Sequence, residues 1–94
     1  MNEITAQMTN FKRYLTSQEK SRATVEKYIR DVRTFAKFLG NNEPTRETVI
    51  DYKTHLQKNY AARSVNSMLA SVNCLFAFLE RYDLRVRTLK LQRQ

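Results

Sequence analysis

Apolar residues return at helical spacing in four separate stretches of the chain. From Glu3 to Thr16, Ile4, Met8, Phe11, Tyr14 and Leu15 fall at steps of three, four and one, and Lys12 and Arg13 lie off that stripe. From Ser21 to Leu39, Val25, Tyr28, Ile29, Val32, Phe35, Ala36 and Leu39 form a cleaner one. Ser21 suits its N-cap and Gly40 its stop. A third, weaker stripe through Val49, Ile50 and Leu56 follows Pro44 and runs from Thr45 to Lys58, with Thr45 as cap. The fourth runs from Arg63 to Tyr82 through Val65, Leu69, Val72, Phe76 and Leu79, with Tyr82 as its last member. Each stripe is buried only if the four meet, so the pattern predicts a compact all-α four-helix bundle. Asp83 to Gln94 breaks the pattern: Val86, Leu89 and Leu91 alternate irregularly with Arg85, Arg87, Lys90 and Arg93. That end reads as a basic linker, a frayed end, or a segment that packs on something else.

Composition supports this picture. The chain has 94 residues, enough for one domain, and 41% hydrophobic content sets it apart from disordered chains. One Gly and one Pro leave little material for the tight turns of a sheet protein. The formal net charge of +8 biases the surface toward polyanions, of which nucleic acid is the usual one. No stretch approaches the ~18 apolar residues of a membrane span, and the N-terminus lacks the pattern of a signal peptide, so a cytoplasmic location is expected.

The residues for catalysis are missing. His55 is the single histidine and Cys74 the single cysteine, which excludes an internal disulfide and a cysteine-based metal site. One glycine cannot build a phosphate loop, and Glu47 and Asp51 read as solvated charges. No metal, cofactor or small-molecule substrate is expected, and this stretch by itself is not expected to be an enzyme.

Two helix starts are better placed for binding. Lys20, Ser21, Arg22 and Thr24 stand where free backbone N–H groups and the positive helix end converge, and Lys27, Arg30 and Arg33 continue the charge. At the fourth helix, Arg63, Ser64, Asn66 and Ser67 combine a cation with small polar side chains that allow close approach to a groove. Both clusters also read as ordinary capping on a solvated face. The aromatics fall mostly on core stripes, with Tyr28 placed to pack its ring and expose its hydroxyl.

Ser21, Thr24, Tyr28, Asp31, Phe35 and Phe38 follow one another at a spacing that resembles the second helix of the N-terminal core-binding domain of tyrosine recombinases, the phage-integrase and Xer-type enzymes. Ala62 to Asn66 running into Leu69 to Leu79 is similar to that family's fourth helix, and the helix after Thr45 fits its third. The likeness spans residues 3–82. It implies a SAM-like bundle over residues 1–82, which clamps one face of a double-stranded recombination site, and a linker over 83–94 toward a separate catalytic domain. It also implies DNA contacts by Arg22, Thr24, Lys27, Tyr28, Arg63, Ser64, Asn66 and Ser67, to which the charge and capping of the helix start add Lys20 and Ser21, with neighbouring protomers of a DNA-bound tetramer touching the first helix. The family's catalytic residues lie in the other domain, and no tyrosine here corresponds to its nucleophile. Two departures stand out: Asp83 to Gln94 lacks the Asn-Pro common after the fourth helix, and no His–x–x–Arg pair is present. On this reading Lys27 holds a phosphate, and Lys27→Ala flattens the salt dependence of DNA binding by about one unit. The rivals are a stand-alone helical DNA-binding regulator and a protein-interaction module.

Overall fold

A computed structural model describes residues 2–91. Among them are four α-helices, α1 (Glu3–Ser17), α2 (Arg22–Leu39), α3 (Arg46–Asn59) and α4 (Ala62–Phe78), and a single 3-10 turn at Tyr82–Leu84. Met1 and Gln92 to Gln94, which the sequence assigns to the two ends of the domain and linker, lie outside the described residues.

Local chemistry sets the helix starts. Ser21 and Thr45 accept the backbone N–H of Thr24 and Thr48, and the Thr48 hydroxyl accepts in turn from Thr45 N, which closes a capping box. Asn2 serves two helices. Its Oδ1 accepts from Thr5 N at 3.0 Å, at the start of α1, while its Nδ2 donates to Ala36 O and Gly40 O at the end of α2. It is 2% exposed, so this one side chain ties the first helix to the second. Gly40, at φ 62, ends α2 in the left-handed region.

α4 ends at Phe78, four residues before the end that the sequence predicts. Glu80 adopts φ 57, Glu80 N donates to Ala77 O, and Arg81 N donates to Phe76 O at 2.8 Å. That bond pair is a Schellman stop, usually built on glycine. Tyr82 therefore leaves the core stripe and is 60% exposed. Glu19 ends α1 in the same way at φ 60, with Lys20 N reaching Leu15 O.

The stripes meet as expected. Phe11, Leu15, Val32, Phe35, Val49, Leu56, Val65, Leu69, Val72 and Phe76 are fully buried. Phe35 sits centrally, its ring 4.8 Å from Tyr52 and edge-on to Phe76 at 5.8 Å. Asn2 at one end of α1 bonds the far end of α2, so these two helices are antiparallel. α2 and α4 run in the same direction: Lys27 faces Ser67 and Ser71, Asp31 faces Ser71, and Phe35 faces Phe76.

The segment after α4 is a packed strap. Leu84 and Val86 are buried, and Leu89 packs against the core. Asn73 of α4 exchanges two hydrogen bonds with the Val86 backbone, and Asn66 does the same with Leu89. From the other side, Arg46 of α3 donates to Asp83 O and Arg85 O, and Lys53 to Arg87 O. The expected linker from residue 83 is thus fixed to α3 and α4 as far as Leu89.

Candidate nucleic-acid interface

The seam between α2 and α4 holds the geometry of this surface. The Lys27 ammonium donates to Asp31 Oδ2 at 2.6 Å, Ser67 O at 3.0 Å and Ser71 Oγ at 3.1 Å. Those are all three of its N–H donors. Ser71 Oγ also donates to Asp31 Oδ2 at 2.7 Å, and both Asp31 and Ser71 are buried. A carboxylate taken out of water is tolerated because it is paired and hydrogen-bonded twice. The cluster fixes the two helices side by side in the same direction, so their N-terminal ends face the same way. Partial positive charge from both helix ends then adds at one side of the molecule.

At the α2 entrance Ser21 and Thr24 bond each other, Oγ to Oγ1 at 2.9 Å. Arg22 pairs with Glu26 at 3.1 Å, but the Arg22 side chain is 93% exposed, so water screens the pair. Lys20 is exposed and has no acidic partner among the described residues. At the α4 entrance the cap residue is Ala61, which supplies no side-chain bond, so the first backbone N–H groups of α4 lack the oxygen that Ser21 and Thr45 provide elsewhere. Arg63 and Ser64 are exposed beside them.

The ten residues singled out from the sequence therefore divide. Lys20, Ser21, Arg22, Arg63 and Ser64 are exposed at the two helix entrances. Thr24, Tyr28 and Ser67 are half-buried, with the Lys27 ammonium 5.4 Å from the Tyr28 ring. Lys27 and Asn66 have other work: the first closes the α2–α4 seam, the second holds the strap. In this structure all three N–H groups of Lys27 are engaged, so the phosphate contact expected of it requires one of these bonds to be exchanged. The bond between Asp31 and Ser71 across the seam is not among the sequence expectations, although Asp31 stands in the second-helix motif. The four-residue step from Lys27 to Asp31 was a readable signal for their pairing, since it brings the two onto one helix face.

Burial pushes the Cys74 thiol up, which disfavours thiolate. Among the described residues no group of three or more His, Cys, Asp or Glu could hold a metal ion, and no helix is long and apolar enough to cross a membrane.

Compared with known families, residues 8–83 match the model described as phage integrase, N-terminal SAM-like domain. No match is found among curated proteins or among solved structures.

Proposed function

Because the chain belongs to the phage integrase N-terminal SAM-like domain family, we propose that it is the DNA-binding clamp of a site-specific tyrosine recombinase. It grips one face of a duplex recombination site through the entrances of α2 and α4. One observation carries the reading: the parallel α2–α4 seam turns two helix N-termini, with Lys20, Arg22 and Arg63 exposed beside them, toward one side. Lys20, Arg22 and Arg63 hold backbone phosphates. Ser21, Thr24, Tyr28 and Ser64 add hydroxyl contacts, and Ser67 lines the approach of α4 to the groove. Breaking and rejoining of DNA belongs to a catalytic domain joined after the strap, and the connection to it begins no earlier than Lys90. In a DNA-bound tetramer the outer face of α1 meets a neighbouring protomer.

The test is fluorescence anisotropy with a labelled duplex over a range of salt. Affinity falls steeply with salt, and Arg63→Ala lowers the slope of log K against log salt by about one. If no duplex binds even at low salt, the reading is wrong. Sequencing the coding frame past Gln94 tests the enzymatic half: an arginine, a His–x–x–Arg pair and a late tyrosine are expected.

A further inference from the structure

A second basic surface lies away from the two helix entrances. Between α3 and the strap is an open cleft of about 550 Å³ lined by Arg46, Ile50, Lys53, Arg85, Val86 and Arg87. Four of its six lining residues are cations and none is an acid. Of the carboxylates nearby, Asp83 is held in a two-bond pair with Arg81, at 3.1 Å for each bond, and Glu47 and Asp51 on α3 are exposed to water. Arg46 spends Nη1 on the Asp83 and Arg85 carbonyls, and Lys53 spends one N–H on Arg87 O at 2.6 Å. A guanidinium has five N–H donors and an ammonium three, so both keep donors for an outside acceptor. Arg85 and Arg87 alternate with buried Leu84 and Val86, which turns both out of the core. Because their backbone is bonded from two sides, these cations are presented on a fixed support, and binding an anion does not first have to order the chain.

We infer that this cleft binds a phosphodiester of nucleic acid, as a contact separate from the α2 and α4 entrances. A polyanion fits better than a small ion because the cleft is open and its positive charge continues along the chain. Beyond Arg87 the strap reaches Leu89, bonded to Asn66 in the first turns of α4, and exposed Lys90 follows. The strap is thus a basic track that leads from the cleft toward the α4 entrance. The apolar floor, Val86 with the 45% exposed Ile50, suits the sugar between phosphates. This inference rests on the nucleic-acid reading above and adds a second contact surface to it.

The experiment pairs two readouts on the intact chain. Backbone amide NMR signals are followed as a short duplex, and separately inorganic phosphate, is titrated in. Anisotropy against salt is then measured for Arg85→Ala/Arg87→Ala beside Arg63→Ala, with thermal melts to confirm folding. Neither Arg85 nor Arg87 holds the fold by its side chain, so the double variant stays folded. The expected result is that duplex shifts the signals of residues 85–90 and Ile50, and that the double variant loses about two units of salt slope. If Arg63→Ala weakens binding while the double variant and the strap signals do not respond, this inference is overturned and the proposed function stands. If no duplex binds at all, both fall. If phosphate ions saturate the strap signals and duplex leaves them unmoved, the cleft is a free-anion site and the inference is again overturned.

Discussion

Lys27 carries three hydrogen bonds from one ammonium, and two of them cross from α2 to α4. Removing it leaves the Asp31 carboxylate buried with Ser71 as its remaining close donor. Lys27→Ala is therefore expected to cost about 2–3 kcal/mol, at or below the low end for a broken buried pair because its side chain is 32% exposed. Urea unfolding measures this, and unchanged stability would mean the seam is not held by this cluster. Glu80 makes the opposite case. An L side chain at φ 57 is strained, so Glu80→Gly is expected to stabilise the protein by about 0.5–1 kcal/mol. Glu80→Ala keeps the Cβ and should gain little, a contrast that separates backbone strain from lost charge.

The strap is an element that the apolar periodicity leaves unresolved. Its side chains alternate between buried and exposed only from Leu84 to Arg87, and its hydrogen bonds come from Asn66, Asn73, Arg46 and Lys53, which look like surface residues in the sequence. Asn73→Ala leaves the Val86 N–H and carbonyl without partners, which costs about 1–2 kcal/mol locally. Faster hydrogen exchange at Val86 and Leu89, with α1 unchanged, is the expected outcome. The helices were easier to read. Ser21, Thr45 and Gly40 mark boundaries by chemistry that works within three residues of sequence. The ends at Ser17 and Phe78 were off by one and four residues because glutamates, not glycines, take the left-handed position there.

At the scale of the whole molecule, stability depends on pH through the core. The Tyr52 hydroxyl is buried and has no hydrogen-bond partner. Burial first, then the charges of Asp31 and Tyr60, push its phenol above the ordinary range. A raised folded value means that this stabilisation is complete below the unfolded pKa near 10 and is lost as pH rises beyond it. Stability is thus expected to fall above about pH 10, and Tyr52→Phe to soften that fall. At neutral pH the same variant removes an unpaired hydroxyl and is expected to be neutral or stabilising by up to ~1 kcal/mol, as denaturation at pH 7 and pH 10.5 would show.

The sequence by itself determined that four amphipathic helices meet in one core, where most of them begin, and that the surface is strongly basic. Those properties follow from spacing, capping chemistry and charge, all of which act locally or add up without regard to position. Which cations remain free was decided by tertiary structure alone. Lys27 and Arg63 look alike in sequence, yet the parallel packing of α2 on α4 encloses one between Asp31, Ser67 and Ser71 and leaves the other exposed. Asn66 and the strap follow the same rule. Contacts between residues 23 positions apart depend on the path of the whole chain, and no local pattern encodes that path.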